Sequence, residues 1–169
     1  MRLTADFGRS ESRSPALNGM GNIDASPEIG AFFNYPISRE FVLTSSFRYG
    51  AGNDHNGALL LLGGTYSTAI APNWRVGAGV SANWANSAYM QSYFGVTNAQ
   101  SATSGYAPYS PGAGLRDVRA SVSVTYLMSP RLVVTGAISY DSLQGGAKDS
   151  PLAVQPNWFS GVVAVTYGF

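Results

Sequence analysis

The sequence predicts an all-β fold, an antiparallel transmembrane β-barrel of about eight strands. Three observations predict it. Apolar and polar residues alternate with a period of two in most segments, charged residues make up only 11% of the chain, and the last residue, Phe169, is aromatic. Soluble globular proteins carry about 25% charged residues, so the surface of this chain must be solvated by something other than charge.

The composition excludes several classes of protein. The net charge is +1 without a basic run, which excludes the electrostatic footprint of a nucleic-acid binder. Cysteine is absent, so disulfides, thiol catalysis and thiolate metal sites are excluded together. No apolar run approaches the roughly 18 residues of a spanning helix, so any membrane span must be a strand. We expect one barrel domain, residues 1–169, without a cofactor or a metal site.

The clearest strand is residues 74–84, WRVGAGVSANW, in which the even positions are apolar and the odd positions are polar or glycine. Trp74 and Trp84 lie at its two ends, where outer-membrane barrels carry aromatic girdles. Tyr126 and Tyr140 continue these predicted girdles on later strands. The same alternation predicts strands in segments 3–7, 29–35, 41–49, 57–70, 118–126, 132–140 and 163–169.

The connections between these segments alternate in length. They are short near 36–39, 71–73 and 129–130, and longer at 9–23, 51–56, 87–115 and 144–156. Bacterial outer-membrane barrels have short periplasmic turns and longer outer loops. The pattern therefore predicts three periplasmic turns, which expose Arg39, Asn73 and Arg131, and a long outer loop at 87–115.

The charged residues distinguish a membrane barrel from a soluble eight-stranded carrier. In the strand bodies they fall opposite the aliphatic face, which carries charge only at strand ends such as Arg116. In a soluble barrel the other face would be an exterior of Gly, Ser, Ala and Thr. If the aliphatic face meets lipid, the charges lie in the lumen, where they must pair because an unpaired buried charge is costly. The predicted lumen charges are Asp6, Glu28, Arg48, Arg75, Asp117, Arg119 and Asp141.

The C-terminal segment has apolar residues at every second position. Val163, Val165, Tyr167 and Phe169 form this series. It resembles the C-terminal signal of outer-membrane proteins that the barrel-assembly machinery reads. The alternative is an edge strand of a soluble sandwich. From the terminal series we predict an outer-membrane location, with membrane lipid and the assembly machinery as partners.

Four segments resemble the MipA/OmpV family of outer-membrane proteins. They are 89–105 (YMQSYFGVTNAQSATSG), 148–158 (KDSPLAVQPNW), 21–35 (GNIDASPEIGAFFNY) and the closing strand. The resemblance implies a barrel scaffold that links a periplasmic lytic transglycosylase to a peptidoglycan synthase, and some relatives are surface antigens or adhesins. It implies no catalytic residues. Members generally carry additional N-terminal barrel sequence, so the barrel closes either with eight strands or with further ones.

Two constellations in the loops leave alternatives open. His55 is the only histidine and follows Asp54, which allows a hydrolytic pair, but a polar loop tip is favoured and we expect no enzymatic activity. Aromatic residues in the long loop indicate a binding surface, a plug of the barrel mouth or packing of the loop on itself. A surface adhesin or a small passive channel therefore remains an alternative to the scaffold. These loop aromatics are Tyr89, Tyr93, Phe94, Tyr106 and Tyr109.

Overall fold

The computed structural model describes residues 2–168. Eight strands form one antiparallel sheet in sequence order, and the sheet is curled into a half-barrel. The predicted all-β antiparallel fold is confirmed. Within the described residues β1 and β8 pair only with β2 and β7, so both are edge strands. The strands are β1 (Arg2–Asp6), β2 (Ser26–Pro36), β3 (Phe41–Ala51), β4 (Gly57–Ala71), β5 (Trp74–Ala85), β6 (Gly114–Ser129), β7 (Leu132–Leu143) and β8 (Asn157–Tyr167).

The connections divide the half-barrel into two ends. The turn end carries the short connections 37–40, 72–73 and 130–131, and the loop end carries 7–25, 52–56, 86–113 and 144–156. Helices occur only in the loop-end connections of the described chain: α1 (Ser87–Phe94), α2 (Asn98–Ser104), α3 (Gly145–Lys148) and two short 3-10 helices, Glu11–Arg13 and Pro15–Leu17. No helix among the residues described is long and apolar enough to cross a membrane.

The two faces of the sheet differ in chemistry because side chains alternate along every strand. The inner face carries the charged residues of the strand bodies. Across three neighbouring strands, for example, Arg75, Thr125 and Thr135 are paired side by side on it. The outer face carries aliphatic rows such as Val122 beside Ile138. Ile138 is 59% exposed. The outer face is therefore a broad apolar surface without a partner among the described residues.

Small residues on the inner face allow the sheet to curl. A Cβ atom on Gly77 would lie 2.7 Å from the hydroxyl oxygen of Ser123, and one on Gly63 would lie 2.8 Å from the Cβ of Ser81. Such distances are shorter than van der Waals contact, so these positions have no room for a side chain. Glycine therefore permits the close approach of neighbouring strands on the concave side.

Aromatic residues mark both ends of the outer face. At the turn end the rings of Trp74 and Tyr126 are 4.5 Å apart between centroids. Nearer the loop end, Tyr140 packs on Phe159 at 5.0 Å. Trp84 lies ten residues along β5 from Trp74, which corresponds to about 33 Å of strand. Their spacing suits the two interfaces of a bilayer, and the girdle role itself stays a prediction.

An arginine on the outer face tests whether that face meets lipid. We expect Ile138→Arg to destabilise the protein folded in lipid vesicles by about 2–4 kcal/mol, because it places a charge in the hydrocarbon layer. Ser139→Arg, one residue along on the inner face, is the matched control and should cost much less. Urea titrations followed by heat-modifiable gel migration measure both values. Equal costs for the two variants would contradict a lipid-facing outer surface.

Candidate functional site

The segment 86–113, which we call the cap, folds into two helices at the loop end. Asn86 begins α1, since its side-chain oxygen accepts hydrogen bonds from the backbone N–H of Tyr89 and of Ala58, both at 2.9 Å. The second bond ties the start of the helix to β4. Thr97 and Gln100 form a capping box that begins α2. The cap is therefore an ordered element and not an irregular loop.

Helix α1 packs on the inner face of the sheet. Met90 is 1% exposed and lies in a cluster with Leu59, Leu143 and Ala147. Tyr89 and Phe94 pack against the same cluster. Because Leu59 and Leu143 belong to β4 and β7, the helix spans the concave side of the half-barrel. The helix therefore lies over the loop end of the inner face, and a role of this loop as a binding surface or as a plug stays a prediction.

Two tyrosines of α1 connect the cap to charged residues of the sheet. The Tyr93 hydroxyl donates to Asp6 of β1, which also accepts from the backbone N–H of Gly52 at 3.2 Å. The rings of Tyr89 and Tyr93 stack at 4.6 Å, and Arg116 donates to the Tyr89 hydroxyl at 2.9 Å. The Arg116 guanidinium also lies 5.4 Å from the centre of the Tyr89 ring, within range of a cation–π contact.

The environment of the cap keeps both phenols neutral. Burial, and then the hydrogen bond to Asp6, raises the pKa of Tyr93 far above its usual range. Burial also raises the pKa of Tyr89, and the neighbouring Arg116 partly opposes that rise. Tyr93 therefore remains a hydrogen-bond donor to the Asp6 carboxylate at any physiological pH.

Most of the inner-face charges form pairs close to the cap. Arg48 donates to Glu28 at 3.0 Å, and Glu28 is 1% exposed. Arg119 Nε lies 2.5 Å from Asp141 Oδ1 on the neighbouring strand. Asp141 Oδ2 is also buried and has no hydrogen-bond partner within the described chain. The buried acids are thus neutralised by arginines, as their burial requires.

Asp117 and Arg116 form a second connected group. Asn83 donates to Asp117 Oδ1 at 2.7 Å, and Arg116 pairs with Asp117 Oδ2. Alternation along β6 places Arg116 on the apolar face, but the register between β5 and β6 shifts here, from Asn83–Asp117 to Trp84–Leu115. The extra residue of this bulge lets Arg116 turn to Tyr89. Sequence alternation alone missed this contact because it assumes regular pairing.

Arg75 lies apart from the other predicted lumen charges. It belongs to the turn end of β5, and its guanidinium donates to the Ser67 hydroxyl at 3.4 Å. It has no ion-pair partner among residues 2–168. The structure therefore gathers Asp6, Glu28, Arg48, Asp117, Arg119 and Asp141 towards the loop end and leaves Arg75 alone.

Hydrogen bonds also join the cap to the other loop-end connections. Gln100 donates to the Met20 carbonyl at 2.6 Å, and Thr103 donates to the Gly19 carbonyl at 2.8 Å. Arg9 donates to the Tyr93 carbonyl at 3.0 Å, and burial lowers the pKa of Arg9.

On the opposite side of the cap, Ser150 donates to the Phe94 carbonyl at 2.7 Å, and Tyr109 donates to the Gly146 carbonyl at 2.9 Å. The cap thus interlocks with the connections 7–25 and 144–156.

Among the described residues, His55, Asp54 and the C-terminal apolar series lie at exposed positions. His55 occupies a loop tip with a φ of 52°, and neither it nor Asp54 makes a side-chain hydrogen bond within the described residues. No three His, Asp or Glu side chains of the described chain are grouped to hold a metal ion.

The C-terminal series lies at the edge of the sheet. Val163, Val165 and Tyr167 are exposed on β8, and Phe169 lies outside the described residues. Their role as an assembly signal stays a prediction.

Comparison with protein families gives a match over the whole length of the chain. The family model described as MltA-interacting protein MipA matches residues 1–169. No curated protein matches the sequence. The family match covers every segment that forms the sheet and the cap.

Removal of the Tyr93 hydroxyl should loosen the cap without disturbing the sheet. The bond to a carboxylate contributes about 1–2 kcal/mol, so Tyr93→Phe should speed amide hydrogen exchange in residues 86–104 roughly tenfold. Tyr106→Phe is the matched control, because the Tyr106 hydroxyl has no partner within the described chain. Exchange of the β5 and β6 amides should not change. Identical exchange in the two variants would mean that the Asp6 contact does not hold the cap.

Alkaline pH should open the cap through the same group. Because the pKa of Tyr93 is raised in the closed cap, its stabilising contribution is complete below the ordinary value of 10.0 and is lost as pH rises above it. We expect proteolysis within residues 86–113 to accelerate above pH 10 in the parent chain. Tyr93→Phe should show a weaker pH dependence, and an equally steep one would assign the opening to another group.

Proposed function

Because the chain belongs to the MltA-interacting protein (MipA) family, we propose that it is an outer-membrane β-barrel scaffold that holds a periplasmic lytic transglycosylase. The family description supplies the partner, since it names an interaction and not a reaction. We accordingly propose no enzymatic activity. An additional link to a peptidoglycan synthase rests on the resemblance to MipA/OmpV proteins alone.

The apolar outer face supports the outer-membrane location. Large aliphatic side chains such as Val80, Ile138 and Val163 are more than half exposed on it. The charges of the strand bodies lie on the opposite face, where most of them are paired. Water would solvate such an outer face poorly, whereas lipid acyl chains match it. Bacterial barrels have short periplasmic turns, so we orient the turn end towards the periplasm and the loop end outward.

The closed loop end is the observation that favours a scaffold over a channel. Helix α1 crosses the concave side, and Met90 is buried between residues of β4 and β7. Two tyrosines of the same helix bond to charged residues of the sheet: Tyr93 donates to Asp6, and Tyr89 accepts from Arg116. A solute that passed along the inner face would have to displace this helix. We therefore propose that the protein does not conduct in its closed-cap form.

The position of the cap aromatics also weakens the adhesin alternative. That alternative rests on five aromatic residues of the long loop, Tyr89, Tyr93, Phe94, Tyr106 and Tyr109. Tyr89 and Phe94 pack on the inner cluster, and Tyr93 donates to Asp6. Tyr109 donates to the Gly146 carbonyl, so four of the five side chains are engaged within the chain and Tyr106 alone does not make an aromatic binding surface for a host ligand.

The turn end offers the surface that a periplasmic enzyme would meet. Arg39 and Arg131 are exposed there, and neither has a side-chain hydrogen bond within residues 2–168. Glu40 accepts from Ser38 at 3.0 Å and is the acidic residue of these turns. Three turns of this length are small beside a standard interface of about 800 Å² per partner. The contact should therefore be weak, sensitive to salt and directed at an acidic surface.

Charge reversal at the turn end tests this assignment. We expect Arg39→Glu combined with Arg131→Glu to weaken binding of a lytic transglycosylase by about tenfold at low salt, because it replaces attraction by repulsion. Biolayer interferometry with the detergent-solubilised chain and the purified enzyme measures the change. Binding of the parent chain should also fall as the salt concentration rises.

The matched control reverses two exposed cations at the other end of the barrel, Arg13→Glu with Lys148→Glu. It makes the same change in net charge and should leave binding intact. Deletion of residues 90–110 is a poorer control, since it removes Met90 and Tyr93 from the inner face. Loss of binding in the loop-end variant, with binding intact in the turn-end variant, would contradict the proposed orientation or the proposed partner.

A further inference from the structure

We propose that a pocket on the inner face binds a small oxyanion, a carboxylate or a phosphate group, between Arg2 and Arg48. The pocket has a volume of about 240 Å³ and lies beside the cap. It is lined by Arg2, Ser46, Arg48, Leu59, Leu61 and Asn83. The proposal goes beyond the scaffold function and does not depend on the partner named by the family.

The strand register brings the two arginines to the same row. Arg2 of β1 pairs with Gly30 of β2, and Gly30 pairs with Arg48 of β3. A Cβ atom at Gly30 would lie 2.3 Å from the Phe47 carbonyl oxygen and 3.4 Å from Arg48 Cγ. Position 30 therefore has no room for a side chain, and none separates the two arginines.

The charged residues that line the pocket are both cations. Arg48 donates through one nitrogen to Glu28, so its other N–H groups remain available. Arg2 is exposed and makes no ion pair or hydrogen bond with any described residue. The lining of the pocket thus carries two arginines and no acid, and Glu28, the ion-pair partner of Arg48, is itself buried. The pocket is electrostatically suited to one further negative charge.

The shape and lining of the pocket favour an oxyanion over a halide. Guanidinium groups present pairs of N–H donors whose spacing matches the oxygens of carboxylates and phosphates. The Ser46 hydroxyl lines the same space and makes no hydrogen bond within the described part of the chain. Leu59 and Leu61 form an apolar wall, which strengthens the electrostatic interaction by excluding water. The volume holds several water-sized groups, enough for a phosphate or a carboxylate with part of its substituent.

The ligand would enter from the turn end. Helix α1 covers the inner face at the loop end, where Leu59 contacts the Met90 cluster. Towards the turn end the inner positions of β4 and β5 are small, including Gly63, Thr65, Gly77 and Gly79. Their small side chains leave an open approach along the concave side. With the proposed orientation, the ligand is a periplasmic solute or the anionic end of a periplasmic polymer.

Isothermal titration calorimetry on the refolded chain in zwitterionic detergent tests the pocket. Sodium phosphate and sodium acetate are titrated separately, with ionic strength held constant by sodium chloride. We expect saturable binding of at least one of the two anions. Arg2→Gln should weaken it by about tenfold or more, because the variant loses a charge-assisted donor. Binding of phosphate alone, of acetate alone or of both supports the proposal and identifies the preferred group.

Arg75→Gln is the matched control for Arg2→Gln. It removes the same charge from the same face but lies eight residues along β5 from Asn83, about 26 Å away. It should leave the affinity unchanged. Arg48→Gln is less suitable, since it leaves Glu28 buried without its partner and can impair folding. Absence of saturable binding for both anions, or equal affinities in the Arg2→Gln and Arg75→Gln variants, would overturn the proposal.

Discussion

The two-residue period of the β-strand is the constraint on which the rest of this structure depends. Every strand must present one set of side chains to each face, so a single sequence has to satisfy two environments at once. The outer set is aliphatic and aromatic. The inner set contains the acids, the arginines and the small residues. Because pairing is regular through the strand bodies and the register shifts lie near strand ends, this division extends across the sheet.

The inner face in turn depends on what covers it. Glu28, Asp117 and Asp141 are buried, and buried carboxylates are tolerated only with paired cations or strong donors. Arg48, Arg116 and Arg119 provide the cations. Helix α1 seals the group from the loop end. The same helix requires apolar positions beneath it, so charge pairing and cap packing are arranged on one surface.

The sequence was sufficient to predict the strands because alternation is a local property. It also placed the charges and the aliphatic residues on opposite faces. The leucine run 59–62 obscured the alternation for a reason that only the structure shows. Leu60 and Leu62 lie on the outer face. Leu59 packs in the same cluster as Met90, and Leu61 lines the inner pocket. The helices of the cap were missed, although Asn86 and the Thr97–Gln100 pair are recognisable helix-start signals. The bulge at Arg116 has no comparable local signal, because it depends on the pairing of two strands.

The contacts of the cap have a consequence for the order in which the chain folds. Tyr93 and Asp6 are 87 positions apart in sequence, and Ser150 and Phe94 are 56 apart. Contacts of such separation form slowly, because the entropy of closing a long loop must be overcome first. Helix α1 cannot reach its final place until β1 and β7 flank the same concavity. We therefore expect the cap to close late in folding, and until it closes the carboxylates of the inner face are exposed to water.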